Sequence, residues 1–228
     1  MENLVRRKDI VFGIDRSVHT RRYLVWKYQQ YSDGQPVFDT FEDCMSELKK
    51  RIDAKNNQHK IFFTSDTHFS AQRTLELSRR PFFNVEDMDL TMVERWNNAV
   101  GVNDEVYHLG DFGNVEFAKY LNGNIHLLLG NYERDGKSSI PDNISEIITD
   151  DVYPLDYKGV RLLLTHEPEK LQGKNGFGLF GHIHARQTIK KFGFDVGVDA
   201  HNFTPIDVDT VLWYKNAIEK FYDDSVFV

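Results

Sequence analysis

Side chains of the kinds that bind metal ions recur in this chain directly after short apolar segments. A run of about four to eight apolar residues bounded by turn residues predicts a buried strand. Five such segments occur, at 61–65, 105–109, 125–129, 160–165 and 177–180. The metal-binding types that follow them are, in chain order, Asp66, His68, Asp111, Asn131, His166, His182 and His184. Because ligands gather beyond the carboxyl ends of strands in open α/β sheets, we expect these side chains to lie together.

Each of these motifs has an ordinary structural explanation when it is taken alone. Asp111 follows a glycine and fits the N-cap of a helix, and Asn131 fits a left-handed turn. His166 fits a loop. His182 and His184 carry the strongest signal, since two histidines rarely occupy alternate positions of an extended segment without a role. The whole series in this order is much harder to explain by chance.

Together these motifs resemble those of the calcineurin-like metallophosphoesterases. The matching motifs are Asp66-x-His68, Gly110-Asp111, Gly130-Asn131, His166 and Gly181-His182-x-His184. The resemblance covers residues 60–207 and keeps the order and strand context of the family. A second group of segments resembles a branch of small bacterial and phage proteins of this family. These segments are residues 78–82, Trp96-Asn97 and residues 109–112.

The resemblance implies two divalent metal ions bridged by a carboxylate. The first ion would be held by Asp66, His68 and His184. The second ion would be held by Asn131, His166 and His182, and the bridging residue would be Asp111. Mixed nitrogen and oxygen ligands suit Mn, Fe, Zn, Co or Ni better than Mg or Ca. Mn is the ion that we expect to support activity in vitro.

The same resemblance implies hydrolysis of a phosphoester. Among the ligands only Asp66 and Asp111 are anionic, so two divalent ions would leave the site positively charged, which attracts a phosphate and stabilises its transition state. Two ions about 3.5–4 Å apart can share a hydroxide that attacks phosphorus. The leading hypothesis is therefore a metal-dependent phosphoesterase acting on a small phosphorylated substrate, either a nucleotide or a related phosphodiester. No side-chain nucleophile is required, and Cys44 has no predicted catalytic role.

Two other functions remain open on the sequence. One is a nuclease acting on short or single-stranded nucleic acid, which a basic, aromatic-lined groove beside the site would favour. The other is a non-catalytic metal-binding scaffold for protein interactions, since a fold alone does not establish an activity. A scaffold has no reason to keep every ligand. The net charge of -7 and pI near 5.7 favour a small anionic substrate over long nucleic acid.

Tyr132 departs from the family pattern, which has histidine after Gly130-Asn131. A tyrosine hydroxyl can donate a hydrogen bond, but its ordinary pKa of about 10 makes it a poor general acid near neutral pH. Either the substrate has a leaving group that needs little protonation, or another residue supplies the proton. His201, in a predicted loop, is the preferred candidate, ahead of His108 and His126 in predicted strands.

A second departure follows His68, where this chain has Phe69-Ser70-Ala71 and close relatives often have Phe-Gly-His. A polar contact near the first metal is therefore missing. Arg73 or Arg79 could contact the phosphate instead, because a guanidinium matches phosphate geometry. The basic clusters at 49–51 and 79–80 are otherwise interpreted as solvated helix surface.

The order of segments predicts an α/β fold, a two-sheet mixed β-sandwich flanked by helices, with a small N-terminal α+β appendage. The appendage is expected at 1–59 and the catalytic domain at 60–228. In the appendage, strands at 23–31 and 35–39 should form a hairpin through Asp33-Gly34, followed by a helix at 40–52. In the domain, helices are predicted at 72–79, 85–100, 114–121 and 209–222, and strands at 146–156, 160–165 and 194–198, with a turn at Lys158-Gly159.

Cysteine usage and apolar patterning bear on location. A single cysteine among 228 residues rules out an internal disulfide and favours a reducing compartment. No segment approaches the roughly 20 apolar residues of a membrane helix, and the N-terminus lacks the pattern of a secretory signal. The sequence therefore predicts a cytoplasmic protein that does not bind membranes, and it leaves the oligomeric state open.

Overall fold

A computed structural model describes residues 10–13, 24–27, 37–38, 59–135 and 144–223 of the chain. The chain divides into two compact units, Met1–Gln58 and His59–Val228. The first unit contains a three-stranded sheet of β1 (Ile10–Gly13), β2 (Leu24–Lys27) and β3 (Val37–Phe38). Both β2 and β3 pair antiparallel with β1, so the pairing differs from the predicted hairpin between 23–31 and 35–39. The turn at Asp33-Gly34, the helix at 40–52 and Cys44 lie outside the described residues.

The second unit contains two five-stranded mixed sheets. In the first sheet, four parallel strands follow one another in chain order, and a fifth strand pairs antiparallel at the edge. Its strands are β4 (Ile61–Thr64), β5 (Glu105–His108), β6 (Asn124–Leu128), β7 (Glu146–Ile148) and β13 (Ile206–Asp207). The predicted strands at 61–65, 105–109 and 125–129 are thus confirmed as neighbours.

The second sheet has the order β11-β12-β10-β9-β8. Its strands are β8 (Tyr153–Tyr157), β9 (Val160–Leu164), β10 (Phe177–Phe180), β11 (Ile189–Lys190) and β12 (Gly193–Asp195). Strands β9, β10 and β12 are parallel, whereas β8 and β11 pair antiparallel at the edges. The predicted turn at Lys158-Gly159 joins β8 to β9, and both residues have positive φ, as a tight hairpin requires.

The main core lies between the two sheets. Phe63 of β4 and Leu164 of β9 belong to the same buried cluster, together with Phe194 of β12. The alternate residues of these strands face outward, so that Phe62 packs in a cluster with Trp96. Because both faces of the central strands are covered, their sequences are nearly continuous apolar runs. The predicted two-sheet mixed sandwich is therefore confirmed.

Helices cover the outer face of the first sheet and one end of the core. They are α1 (Gln72–Leu77), α2 (Val85–Ala99), α3 (Asn131–Arg134) and α4 (Val208–Phe221). Helix α2 begins at its N-cap Asn84, whose side chain accepts a hydrogen bond from Asp87 N, and it buries Met88, Met92 and Trp96 at a spacing of one helical turn. Short 3₁₀ helices occur at Val115–Tyr120, Pro168–Leu171 and Val198–Ala200. Among the helices described, none has the length and apolar content to cross a membrane.

Two predicted elements are wrong in detail. The strand predicted at 146–156 is two strands, β7 and β8, that belong to different sheets. Asp151, in the connection between them, lies 2.9 Å from Arg134 and 2.7 Å from Lys170, and aspartate is disfavoured within strands. The helix predicted at 114–121 is the 3₁₀ helix, where the Asn114 side chain accepts a hydrogen bond from Glu116 N.

Removing the Phe63 side chain should destabilise the sandwich strongly. Phe63 is fully buried between the sheets, and truncating a core phenylalanine to alanine costs about 3–5 kcal/mol in the free energy of unfolding. Urea unfolding would measure the loss in Phe63→Ala. The matched control is Phe83→Ala, because Phe83 is 99% exposed and its truncation should change stability by less than about 0.5 kcal/mol. Similar losses in the two variants would contradict the assigned core.

Candidate metal centre

The seven predicted ligands lie at one edge of the sandwich. Each follows the carboxyl end of a parallel strand: β4, β5 and β6 in the first sheet, and β9 and β10 in the second. The ligand residues are Asp66 and His68 after β4, Asp111 after β5, Asn131 after β6, His166 after β9, and His182 and His184 after β10. Both sheets thus contribute donors to a single cluster, as the sequence predicts.

Five of these residues hold an unusual backbone conformation. The φ angles are 57° at Asp66, 49° at His68, 58° at Asp111, 70° at His182 and 47° at His184. The left-handed region costs L-amino acids about 1–2 kcal/mol per residue, although Asp and His adopt it more readily than most. Strain of this kind persists where the surrounding structure enforces it, and it is concentrated at functional sites.

The first donor group consists of Asp66, His68 and His184. Asp66 Oδ1 lies 3.9 Å from Nε2 of His68 and 3.9 Å from Nε2 of His184. Among buried side-chain atoms of the described residues, Asp66 Oδ1 and His68 Nε2 lack any hydrogen-bond partner. Burial lowers the pKa of His68 to about 3, so its imidazole is neutral and has a free lone pair. A buried carboxylate oxygen without a donor is costly, and a cation between these atoms would remove that cost.

The second donor group consists of Asn131, His166 and His182. Asn131 Oδ1 lies 2.9 Å from His166 Nε2 and 3.1 Å from His182 Nδ1, and the two ring nitrogens are 3.2 Å apart. His166 Nδ1 lies 2.8 Å from the carbonyl oxygen of Leu109 and donates to it. A neutral His166 therefore keeps its lone pair on Nε2, facing the other two atoms. This convergence of acceptors also fits a shared cation.

Asp111 lies between the two groups. Its Oδ2 is 3.5 Å from His68 Nε2, and its Oδ1 is 3.6 Å from His166 Nε2. Burial raises the pKa of Asp111 to about 6, and the nearby charge of Asp66 adds to this effect. Burial also opposes ionisation of Asp66, but the neighbouring histidines, His166 first, lower its pKa overall. The donors present therefore fit divalent cations, with Asp111 placed to contact both groups.

Glu133 supports two of the ligand loops. Its carboxylate accepts hydrogen bonds of 2.9 Å from the backbone N–H groups of Gly130, Asp111 and Phe112. The loop after β5 is thereby tied to the start of α3. Sequence reasoning noted no role for Glu133. Its place three residues after the helix N-cap is the available signal, because a glutamate there commonly accepts from the N-cap backbone.

Arg80 and Asp199 position His184. The Arg80 guanidinium donates to both oxygens of Asp199, at 2.9 and 2.8 Å, and to the backbone oxygens of Asp66 and Thr67, at 2.6 and 2.9 Å. His184 Nδ1 lies 2.8 Å from Asp199 Oδ2, which leaves Nε2 to face Asp66. Burial would raise the pKa of Asp199, but hydrogen bonds from His184 and Arg80 lower it to about 2. The interpretation of Arg80 as solvated surface is wrong, since only 5% of it is exposed.

Two glycines permit the close packing of the ligand loops. A Cβ atom at Gly130 would lie 2.3 Å from Asp111 Oδ1. At Gly181 it would lie 2.3 Å from Asp66 Oδ2 and 2.1 Å from Ser65 Oγ. Any larger residue at these positions would displace a carboxylate, which explains glycine immediately before Asn131 and His182.

The donors open into a cavity of about 530 Å³, within the range of about 300–1,000 Å³ found for small-molecule sites. Tyr132, Arg73 and Arg79, which the sequence suggested for phosphate contact or leaving-group protonation, line this cavity beside the donors. The Tyr132 ring packs edge-on against His68, with centroids 4.7 Å apart. These three residues are therefore within reach of a bound substrate.

The three other histidine candidates lie elsewhere. His201 does not line the cavity, and its Nε2 lies 2.6 Å from the carbonyl oxygen of Asp195. His108 is fully buried beside Thr67 Oγ1, at 2.9 Å, and burial lowers its pKa to about 3. His126 lies between the carboxylates of Glu105 and Glu146. The structure therefore does not bring His201, the preferred proton donor, to the cavity, because its Nε2 faces a backbone carbonyl oxygen.

Two five-stranded mixed sheets face one another, with helices outside and the donor cluster at one edge. A solved structure of a protein of unknown function from Aquifex aeolicus shares the architecture, with a TM-score of 0.56 and 21% identity over 69% of this chain and 100% of that one. The E. coli phosphoesterase YfcE aligns over 60% of this chain and 78% of its own, at 22% identity. Its TM-score of 0.33 is too low to bear on activity.

Sequence comparison adds a relative without a known activity. An uncharacterised protein from Methanocaldococcus jannaschii is 29% identical over 173 residues, which are 68% of this chain and 91% of that protein. No protein-family profile matches the chain. Any inference about function therefore rests on the donor cluster and on the cavity beside it.

Replacing Asp199 by asparagine should weaken metal binding. The change removes the charge that orients His184 and pairs with Arg80, while it keeps the size of the side chain. Loss of such an orienting partner typically lowers metal affinity about 10–100-fold. Mn²⁺ affinity would be measured by competition with a chelator, and Asp156→Asn on exposed β8 is the control. Unchanged affinity in folded Asp199→Asn would contradict the positioning role.

Proposed function

We propose that this chain is a metal-dependent phosphoesterase that holds two divalent ions and hydrolyses a small phosphorylated substrate, either a nucleotide or a related phosphodiester. The observation that best supports the proposal is the pair of donor groups that meet at Asp111. One group contains a buried oxygen of Asp66 and a buried nitrogen of His68 without hydrogen-bond partners. Mn²⁺ is the ion that we expect to restore activity in vitro.

The residues of the chain have separate tasks in this proposal. Asp66, His68 and His184 would hold one ion, Asn131, His166 and His182 the other, and Asp111 would contact both. Ions at these donors would lower the pKa of water and stabilise the charge that develops on a phosphoryl group. The buried loops around Asp66 and Asp111 exclude bulk water, which strengthens every charge interaction there. Glu133 and Arg80 hold these loops in place.

Tyr132 would contact the substrate as a hydrogen-bond donor. It stands where the family has histidine, and its backbone N–H donates to Asp111 Oδ1 at 2.9 Å. Within the described part of the chain, the histidines that line the cavity are His68, His182 and His184, all of them proposed ligands. With no other histidine at the cavity, we favour a substrate whose leaving group needs little protonation, such as an activated ester or a pyrophosphate.

The alternative functions receive less support. A nuclease groove would extend basic and aromatic surface away from the metal donors, whereas the arginines discussed here line the cavity itself. A non-catalytic metal-binding scaffold would account for the burial of Asp66 beside Asp111, but it gives no reason for arginines to line a cavity beside these donors. A small anionic substrate accounts for both observations.

Hydrolysis of p-nitrophenyl phosphate and bis-p-nitrophenyl phosphate should require Mn²⁺ and should be lost in Asp111→Asn. Asparagine removes the charge that both donor groups share, so we expect the rate to fall about a hundredfold or more and metal content to drop. Metal content would be measured on the same preparations, with Asp156→Asn as the control. Full activity and full metal content in Asp111→Asn would rule out the two-ion proposal. The preferred compound distinguishes a monoesterase from a diesterase.

Tyr132→His should raise activity most on substrates with poor leaving groups. A histidine with a pKa near neutrality can protonate a departing oxygen that a tyrosine protonates poorly, and general acid catalysis contributes about 10²–10⁴-fold at most. Rates on phenyl phosphate and p-nitrophenyl phosphate would be compared in both proteins. Equal gains on the two esters, or no gain, would count against the role given to Tyr132. Tyr132→Phe controls for the loss of the hydroxyl alone.

A further inference from the structure

Three arginines line the same cavity as the metal donors. Arg73 lies on α1, Arg79 follows α1, and Arg186 follows the ligand His184 in the chain. Their side chains are exposed and form no ion pair or hydrogen bond with any described residue. Elsewhere in the described chain, cations such as Arg80 and Lys170 pair with carboxylates. These three arginines therefore bring to the cavity positive charge that no carboxylate of the described residues pairs with directly.

The backbone at Arg79 indicates that its side chain is there for a reason other than stability. Arg80 N–H donates to Leu75 O and Arg79 N–H to Glu76 O, which is the pattern that ends a helix with a left-handed residue. Arg79 is that residue, with a φ of 51°. Glycine is the usual occupant because it has no Cβ. An arginine at this position therefore accepts backbone strain at a residue that lines the cavity.

Arg186 is held from another loop. His184 and Ala185 precede it with φ of 47° and 59°, and Ala185 N–H donates to Asp195 Oδ2 at 3.1 Å. Arg186 N–H donates to Ile183 O at 3.1 Å, which closes a turn. The three arginines thus come from two separate structural elements, α1 with its end and the loop after β10, and they line one cavity.

The number of guanidiniums exceeds what a single reacting phosphate needs. A phosphate being hydrolysed must lie at Asp111, Asn131 and the histidines. A guanidinium binds a phosphate through two parallel hydrogen bonds, so arginines at the cavity wall suit a further anionic group. A cavity of about 530 Å³ accommodates a small molecule with two such groups.

We propose that the substrate carries a second phosphate group, which Arg73, Arg79 and Arg186 bind while the first lies at the metal donors. This inference rests on the proposed phosphoesterase function and names the class of its substrate: a small bisphosphate or diphosphate compound. The second phosphate selects the substrate and the metal donors act on the first. The overall charge of -7 is consistent with a small molecule and not a nucleic acid.

The test compares two inhibitors that cannot be hydrolysed, methylenebisphosphonate with two phosphonate groups and methylphosphonate with one. Inhibition of p-nitrophenyl phosphate hydrolysis would be measured at saturating Mn²⁺ for the wild type and for Arg73→Ala, Arg79→Gly and Arg186→Ala. The preference for the bisphosphonate is the inhibition constant of methylphosphonate divided by that of methylenebisphosphonate. We expect each variant to lower this ratio about tenfold, as loss of a charged hydrogen bond predicts. Each inhibitor chelates Mn²⁺ in solution to the same extent whichever protein is present, so chelation does not affect the comparison between the wild type and the variants.

Two controls separate binding from folding and from net charge. Arg161→Ala removes one positive charge at an exposed position of β9 and should leave the preference unchanged. Arg79→Gly should keep or raise the melting temperature, by up to about 2–4 °C, because glycine relieves the left-handed strain. A lower melting temperature together with lower affinity for both inhibitors would show a structural role for Arg79 and count against its part in the proposal.

The remaining outcomes are distinguishable. Preference for the bisphosphonate that survives in all three variants would overturn the inference and leave the phosphoesterase proposal intact. A short single-stranded oligonucleotide that competes more strongly than the bisphosphonate, through the same arginines, would overturn the small-molecule assignment. If the wild type hydrolyses no phosphoester, the proposed function fails, and calorimetric binding of the two inhibitors to the Mn²⁺-loaded protein still decides whether the arginines select a second phosphate.

Discussion

Asp66 and Asp111 are buried within one cluster of imidazole rings, and this placement of two negative charges constrains everything around them. Two carboxylates removed from water repel one another, and each requires donors or cations. The protein supplies one backbone N–H to Asp66, from His182, and one to Asp111, from Tyr132. His68, whose pKa burial lowers to about 3, supplies a lone pair and not positive charge. The cluster is therefore arranged to be completed by cations, and its polar atoms would otherwise be unfavourable in a folded core.

Holding these charges together requires a rigid frame. Five ligand residues adopt left-handed backbone conformations, and glycines at 130 and 181 leave room for carboxylates that a Cβ would displace. Glu133 joins two loops through three backbone N–H groups, and Arg80 joins Asp66, Thr67 and Asp199. The sandwich core beneath keeps the strand ends in register. Strain at the site is thus balanced by packing and hydrogen bonds outside it.

In the proposals made above, the metal donors act on one phosphate, and other residues of the cavity select the substrate. In the proposed function, Tyr132 stands where a histidine could protonate a leaving oxygen, which would limit the range of esters that are cleaved. The arginines of the cavity wall add positive charge that the reacting phosphate does not need. Selectivity in this protein would then come from the part of the substrate that does not react, as expected where remote binding energy helps to position a reacting group.

Local sequence pattern was sufficient to predict most of the fold and the positions of the candidate ligands at the strand ends. The strands before the candidate ligands are apolar runs that end at turn residues. These two local features were enough to locate them in the sequence. The hairpin at Lys158-Gly159 followed from turn chemistry in the same way. Prediction was wrong where a segment's environment depends on distant partners: 146–156 is divided between two sheets, and Arg80 resembles any surface arginine until Asp199, 119 residues away, is seen to face it.

The sequence by itself thus determined the candidate ligands and the strands that precede them, because residue type and order are local properties of the chain. Only the tertiary structure decided which other side chains join the site. In the folded chain, His201 faces the carbonyl oxygen of Asp195, and Arg80 is buried. Arg186 lines the same cavity as Arg73 and Arg79. Such contacts depend on how the two sheets pack and on which way each loop turns. No local pattern encodes them, since their partners are far apart in the chain.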